Sequence, residues 1–183
     1  MLPDEVAPIR LMATIWADTT GLHDDLESRE GLDHWLTDVD VACTPAELAL
    51  ARQLRDAARR LAAQVTGDDR RTAQSNTREL TVALRDLNDL VTRLPVPQLT
   101  FTDGTFHETT AGGDSAVVVE LARIARESIA LLGGPDAAKL RACHAPGCVL
   151  YFLKTHPRRE WCSVTCGNRA RAARHYERVR SSR

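Results

Sequence analysis

Residues 143–169 read CHAPGCVLYFLKTHPRREWCSVTCGNR and hold four of the five cysteines of this 183-residue chain. The cysteines form two close pairs, Cys143 with Cys148 and Cys162 with Cys166, and 13 residues separate the pairs. Two tight turns can each offer two sulfurs to one ion, and Zn²⁺ prefers four such ligands in a tetrahedron. The stretch therefore predicts a structural site for one zinc ion per chain.

The predicted zinc site is closed to water. A metal held by four thiolates has no exchangeable ligand, which hydrolytic zinc requires. His144 and His156 could replace a sulfur, but four cysteines already complete the set, so we expect both histidines to be spectators. The chain also lacks a glycine-rich phosphate loop, a Ser-x-Gly nucleophile turn and a two-histidine metal helix. We therefore expect no enzymatic activity.

Charge divides the chain into two unlike parts. The formal net charge is −1, yet residues 141–183 hold ten Arg and Lys against two acids and residues 1–140 balance at −9. Four thiolates and one zinc ion would leave the C-terminal part at about +6, which still attracts a polyanion. The pattern predicts an acidic body that carries a basic binding module.

A basic helix is predicted from about Asn168 to Val179, after a turn at Gly167. Ala172, Tyr176 and Val179 form an apolar strip that we expect to pack on the module. The candidate nucleic-acid contacts on this helix and on the loop between the cysteine pairs are Lys154, Arg158, Arg159, Arg169, Arg171, Arg174, His175 and Arg178. Guanidinium groups suit phosphate oxygens and guanine edges, so double-stranded DNA is the expected partner.

Other roles for this segment are open at this point. The basic helix could instead dock on the acidic body of the same chain or on an acidic surface of another protein, and RNA is a third partner. We expect structural roles for Asn168, as a helix N-cap, and for Arg169, as a donor near a sulfur. Trp161, with Tyr151 and Phe152, is expected to form an apolar shell around the zinc rather than a base-stacking platform.

The segments Cys143-His-Ala-Pro-Gly-Cys148, Trp161-Cys162 and Cys166-Gly167-Asn168-Arg169 resemble the CGNR zinc finger, which is named for the last tetrapeptide. The chain before them, with its Asp24-Asp25-Leu26 to Trp35-Leu36 segment, is similar to the ABATE-type domain that accompanies this finger in bacterial proteins proposed to be stress-induced transcription regulators. The resemblance implies zinc on the four cysteines and a DNA-binding role. It divides the chain into an ABATE-like domain over 1–135 and a finger over 136–183.

Helices dominate the predicted N-terminal domain. Apolar spacing and end signals predict helices over Glu27–Val39, from the capping box Thr44-Pro45-Ala46-Glu47 to Gly67, from about Thr72 to Leu94, and over Ser115–Leu132. The stretch from Ile9 to Leu22 is open between helix and strand, and Asp103-Gly104 predicts a hairpin near residues 98–110. The predicted fold class is mainly α (α+β), with a treble-clef-like or ribbon-like zinc module that ends in the basic helix.

The first long helix should bury an apolar stripe and expose its arginines. The stripe comprises Leu50, Leu54, Ala57, Leu61 and Val65, and the arginines are Arg52, Arg55, Arg59 and Arg60. Cys43 is expected to be a core residue rather than a redox sensor. A polar cluster at Trp16, Asp18, Thr19 and Thr20 fits a capped turn or a ligand pocket, and no small-molecule ligand is identifiable from it.

The remaining expectations concern location and partners. Apolar runs are short, and the N-terminus has no basic region followed by an apolar stretch, so we expect no membrane contact and a cytoplasmic location. Reduced thiols in that compartment favour metal over disulfides. The N-terminal helical domain is the expected surface for a homodimer.

Overall fold

The computed structural model describes residues 2, 4–36, 39 and 42–182. The α-helices are α1 (Ala7–Met12), α2 (Arg29–Trp35), α3 (Pro45–Thr66), α4 (Leu80–Val91), α5 (Ala116–Gly133) and α6 (Val164–Ser181). Antiparallel hairpins pair β1 (Ile15–Ala17) with β2 (Leu22–Asp24), β3 (Val96–Thr102) with β4 (Thr105–Ala111), and β5 (Leu140–Ala142) with β6 (Tyr151–Leu153). Short 3-10 helices cover Arg71–Ala73 and Pro135–Lys139. The predicted mainly α fold with small hairpins is confirmed, and none of the described helices is long and apolar enough to cross a bilayer.

Helix α3 is the centre of the N-terminal part, and its two ends are set by local sequence. The Thr44 side chain accepts from the N–H of Glu47 while the Glu47 carboxylate accepts from the N–H of Thr44, which is the predicted capping box. The helix ends at Gly67, whose φ of 64° is left-handed. Between these ends α3 packs against α1, α2, α4, α5 and β5.

Two apolar clusters form the interior. One joins α2, α3, α4 and α5 through side chains that include Leu32, Leu54 and Leu121, and Cys43 is buried in it as expected. The second joins α1, α3 and α5 to the C-terminal hairpin and to the four clustered cysteines. Since the two halves of the chain share this second cluster, the predicted zinc module lies directly on the helices rather than on a linker.

The predicted exposure of Arg55 and Arg59 on α3 is wrong, because each residue is only 1% exposed. The Arg55 guanidinium pairs with Asp24 at 2.5 Å and with Asp56 at 3.2 Å. Arg59 is held by backbone carbonyls instead of an acid. Helical periodicity placed both residues outside the apolar stripe. Segments that are distant in sequence but close in space cover that face of α3. Val65, predicted to be in the buried stripe, is 44% exposed.

The predicted helix from Thr72 to Leu94 is too long, by three residues at its C-terminal end and by more at its N-terminal end, since α4 spans Leu80–Val91. Side chains of the preceding segment bond to α3. The Ser75 hydroxyl donates to the carbonyl oxygen of Asp56 at 2.6 Å, and the Asn76 amide donates to the Asp56 carboxylate at 2.9 Å. These bonds tether the segment in an irregular conformation, so the helix starts only after it.

The stretch left open between helix and strand contains both, as α1 followed by the β1–β2 hairpin. Asp18 closes the hairpin turn, because its carboxylate accepts from Thr20 at 2.7 Å and pairs with His23 at 2.9 Å. The structure thus supports a capped turn for the polar cluster beside Trp16. Helix α2 confirms a helix within the predicted range Glu27–Val39, but the predicted C-terminal end is wrong, since α2 ends at Trp35 and neither Leu36 nor Val39 is helical. Residues 37 and 38 of that prediction lie outside the described residues.

The predicted hairpin around Asp103-Gly104 is confirmed and extends over all of β3 and β4. Asp103 and Gly104 have φ values of 53° and 79°, as a two-residue turn with both central residues left-handed requires. Leu99, Phe101 and Phe106 are 62–70% exposed on this hairpin. The hairpin therefore presents apolar side chains to solvent.

Candidate metal centre and basic helix

The first cysteine pair lies on the turn between β5 and β6. The N–H of Cys143 donates to the carbonyl oxygen of Leu150, and that of Cys148 donates to the carbonyl oxygen of Ala145, both at 2.9 Å. Gly147 has a φ of 73°, a backbone angle that residues with a Cβ rarely adopt. The Pro-Gly turn thus folds the chain back so that both sulfurs face the same point.

The second pair lies at the start of α6. Ser163 is the N-cap, because its hydroxyl accepts from the N–H of Cys166 at 3.2 Å. The predicted helix start at Asn168 and its N-cap role are therefore wrong. Asn168 lies inside the helix, where its side-chain oxygen accepts from the Arg171 guanidinium. One ligand pair lies on a hairpin turn and the other at the start of a helix. Of the two predicted forms, treble-clef-like and ribbon-like, the module therefore has the treble-clef-like one.

The four sulfurs fit a tetrahedral zinc ion. All four side chains are buried, and their Sγ atoms lie within 4.8 Å of one another. The Sγ atoms of Cys148 and Cys162 are 3.8 Å apart, and those of Cys162 and Cys166 are 3.4 Å apart. A tetrahedron with zinc–sulfur bonds of about 2.3 Å has edges of about 3.8 Å. His144 and His156 are not members of this group among the described residues.

The sulfurs share protons unless a cation lies between them, since hydrogen bonds with Cys148 and Cys162 lower the pKa of Cys143 at the expense of its neighbours. The hydrogen bond with the Cys143 sulfur raises the pKa of Cys148 to about 12, and hydrogen bonds with the Cys143 and Cys148 sulfurs raise the pKa of Cys162. A dication would stabilise all four thiolates at once. Arg169 adds a fixed positive charge, since it donates to the Cys166 sulfur at 3.1 Å and this bond raises its pKa. Arg169 therefore has the structural position that the sequence favoured.

Gly167 acts through close packing and not through a turn, which corrects the expectation for this residue. It lies within α6, where a Cβ would come within 3.2 Å of Trp161 Cδ1. A Cβ at this position would push the half-buried Trp161 ring away from the helix by a few tenths of an ångström. Tyr151 and Phe152 are buried, so they belong to the apolar shell and cannot stack on bases.

The basic residues of the loop differ in their freedom to bind a partner. Arg159 is engaged within the protein, because it pairs with Glu5 at 2.6 Å and donates to the carbonyl oxygens of Leu153 and Cys162. The contact of Arg159 with nucleic acid stays a prediction, and such a contact would have to replace these bonds. Arg158 is exposed and Lys154 is half-buried on the same loop.

The C-terminal half of α6 projects into solvent. The buried residues of α6 are Cys166, Gly167 and Ala170, all in its N-terminal half. The exposed residues after them include Arg171, Arg174, His175 and Arg178. The predicted packing of the apolar strip is wrong, since Tyr176 is 69% exposed. At 100° per residue the strip lies nearly opposite the buried side of the helix, so it faces away from the module.

The exposed arginines of α6 are not paired with acids within residues 2, 4–36, 39 and 42–182. Among the ion pairs of these residues, none joins Arg171, Arg174 or Arg178 to a carboxylate. Arg174 instead lies over the Trp161 ring, with 5.7 Å between its Cζ and the ring centroid. The structure therefore does not dock this helix on the acidic body of the same chain.

Two family models match the chain. One, described as "ABATE: Putative stress-induced transcription regulator", matches residues 5–135, and one described as "CGNR zinc finger" matches residues 139–179. The chain belongs to the ABATE family. A search of curated proteins finds no match to it. With the geometry of the sulfurs, the CGNR match identifies the cofactor as one Zn²⁺ per chain, held by Cys143, Cys148, Cys162 and Cys166.

Residues of the ABATE domain also contact the finger, and sequence reasoning missed them. Arg70 donates to the carbonyl oxygens of Cys143 and Cys148, and Asp68 binds Arg70 and the Tyr151 hydroxyl. These residues follow Gly67 in a short polar segment with no motif of its own. The pairing of Asp68 with Arg70 at i, i+2 was visible in the sequence, but its target lies more than 70 residues away.

Proposed function

We propose that this ABATE protein is a zinc-containing transcription regulator that binds double-stranded DNA with the exposed half of α6. The observation that supports the proposal most directly is that α6 begins at the metal centre and exposes arginines that pair with no carboxylate of the described residues. A metal held by four thiolates has no open coordination position, so its proposed role is structural rather than catalytic. We propose that the chain divides into an ABATE domain over 1–135 and a finger over 136–183. We also propose that the protein is cytoplasmic.

The dimensions of the helix suit the major groove. Residues 171–181 of α6 extend about 16 Å at 1.5 Å per residue, and the groove is about 12 Å wide. Arg171, Arg174, His175 and Arg178 lie within about 100° of one another around the helix axis. Guanidinium groups on one face can reach base edges and both flanking phosphate rows. Lys154 and Arg158 on the adjacent loop would contact the backbone beside the groove.

Fluorescence anisotropy of the zinc-loaded chain with random duplex DNA tests the proposal. Three phosphate contacts from the arginine face would give a slope of about −2.7 for log K against log salt, or about a 40-fold loss from 50 to 200 mM salt. Arg171→Ala and Arg178→Ala should each weaken binding and lower the magnitude of the slope by about 0.9. Arg29→Ala, an exposed arginine in the ABATE domain, is the control for net charge.

Two outcomes separate the proposal from its alternative. Binding that is unchanged in both α6 variants, or changed equally by Arg29→Ala, would contradict the assignment of α6. No DNA binding at all by the zinc-loaded chain would favour a protein-interaction adaptor whose basic helix contacts an acidic partner surface. The exposed arginines of α6 also favour this second function, since they suit an acidic protein surface as well as phosphates.

We also propose that the ABATE domain forms a homodimer. The β3–β4 hairpin offers a surface for it, because its Leu99, Phe101 and Phe106 side chains lie on the same face and an isolated hairpin is marginally stable in water. Sedimentation equilibrium should show a dimer that Phe101→Ser weakens and Thr100→Ser, on the opposite face, does not. A monomer at high protein concentration would contradict the proposal.

A further inference from the structure

The ABATE domain holds the first pair of zinc ligands by their backbone. Arg70 Nη1 donates to the carbonyl oxygen of Cys143 at 2.5 Å and to that of Cys148 at 2.7 Å. These two carbonyls belong to the residues on either side of the Pro-Gly turn. One guanidinium nitrogen thereby joins both ends of the turn that presents the two sulfurs.

The Arg70 side chain is itself held in place. Its Nε donates to Asp68 Oδ1 at 2.6 Å and its Nη2 donates to Asp68 Oδ2 at 2.7 Å. The Tyr151 hydroxyl donates to the same Oδ2 at 2.9 Å. Burial opposes the charges of this pair, but the hydrogen bonds and the ion pair hold the pKa of Asp68 below and that of Arg70 above their usual values. The guanidinium thus stays charged and fixed against the turn.

A second arginine of the ABATE domain contacts the same turn. Arg59 donates to the carbonyl oxygen of Val149, the residue after Cys148, at 3.1 Å, and also to that of Met12 in α1 at 2.8 Å. The contacts of Arg70 and Arg59 with the finger connect residues 73 to 90 positions apart in the chain. They can form only when α3, the segment after it and the finger are folded together.

We propose that Arg70 is a zinc-positioning residue that the ABATE domain supplies to the finger, and that it couples zinc affinity to the fold of the helical domain. Without its guanidinium, two carbonyl oxygens would converge on a position with no donor, so the turn would open or leave both unsatisfied. Either change moves the sulfurs of the first pair from tetrahedral geometry. Arg70 also places a positive charge beside the metal centre, where four thiolates and one zinc dication would leave a net charge of about −2. The proposal does not depend on DNA binding.

Zinc affinity of the full-length chain, measured by competition with a chromogenic chelator, tests the positioning role. Arg70→Met keeps the aliphatic stem and removes every hydrogen bond, and we expect about 10- to 100-fold weaker zinc binding. Arg71→Met removes the same charge from the neighbouring exposed side chain and should leave the affinity unchanged. A folded Arg70→Met protein with the affinity of Arg71→Met would overturn the proposal.

Two further variants keep the test decisive if Arg70→Met does not fold. Arg70→Lys retains the charge but cannot serve two carbonyls and two carboxylate oxygens together, so its affinity should fall as well. Tyr151→Phe removes only the hydroxyl that binds Asp68 and should give a smaller loss. Wild-type affinity in folded Arg70→Lys would overturn the proposal in the same way.

Thermal unfolding followed by far-ultraviolet circular dichroism tests the coupling. The helical signal comes mainly from the ABATE domain, so a finger that folded independently would leave the helical transition unchanged when a chelator is added. We expect one transition whose midpoint the chelator lowers, and a smaller chelator effect in Arg70→Met. Equal midpoints of the wild-type protein with and without chelator would overturn the coupling.

Discussion

Replacement of Arg59 by methionine should destabilise the whole protein, because this buried side chain joins three segments to α3. Its guanidinium donates to the carbonyl oxygens of Met12, Ala73 and Val149 at 2.8 to 3.2 Å. It lies over the Tyr151 ring with 5.5 Å between Cζ and the centroid. Methionine keeps most of the apolar stem but leaves all three carbonyls without their donor.

The size of the effect follows from those three acceptors. A buried polar group that loses its partner costs about 1 to 3 kcal/mol, so three cost about 3 to 9 kcal/mol. Part of this is offset because burial lowers the pKa of Arg59, which shows that its charge is costly to bury. We expect a net loss of about 3 to 5 kcal/mol, a large fraction of the stability of a domain. The midpoint of thermal unfolding should fall by roughly 6 to 20 °C.

Urea unfolding of the zinc-loaded protein, monitored by circular dichroism, measures the loss. Arg60→Met is the matched control, since Arg60 is the next residue of α3 and makes a single bond to a backbone carbonyl, that of Arg78. The control should lose less than about 1 kcal/mol. A loss in Arg59→Met no larger than in the control would refute the reasoning that the three carbonyls depend on this guanidinium.

Three further predictions concern the metal, pH and a turn. Cys162→Ser should bind no zinc in native mass spectrometry, whereas Cys43→Ala should keep one zinc per chain. Burial opposes the charge of Glu47, but hydrogen bonds from two neighbouring hydroxyls hold its pKa below 4.5. The stability advantage of the wild type over Glu47→Gln should therefore be complete above pH 4.5 and shrink as pH falls below it, in urea unfolding at several pH values. Gly104→Ala, at a φ of 79° with open space around it, should cost about 1 to 2 kcal/mol and speed hydrogen exchange in the β3–β4 hairpin, unlike Gly113→Ala.

The successful sequence predictions depended on short-range chemistry. The capping box at Thr44, the left-handed stop at Gly67 and the turn at Asp103-Gly104 each need only a few neighbouring residues, and all three are present in the structure. The spacing of the cysteines likewise predicted the zinc site, because each pair lies within one turn of chain. The resemblance to the CGNR finger rested on the same short segments.

The wrong predictions share a different cause. Arg55 and Arg59 were assigned to the surface by helical periodicity, which has no information on the segments that later cover a helix. The start of α4 was misplaced because Ser75 and Asn76 bond to Asp56 of α3, which lies 19 and 20 residues earlier in the chain. The direction of α6 depended on which side Cys166 and Ala170 bury against the module.

The sequence alone determined that this protein has a helical domain, a tight hairpin and a four-cysteine zinc site followed by a basic helix. Those features depend on interactions between residues that are close along the chain. Residue type and spacing are sufficient to predict such interactions. Only the tertiary structure decided that Arg70 and Arg59 of the ABATE domain hold the zinc turn, and that the arginine face of α6 is exposed. The arginine contacts could not be predicted from sequence because their acceptors are backbone carbonyls, which every residue carries. Which carbonyls lie near a given arginine depends on how distant segments pack in the folded chain.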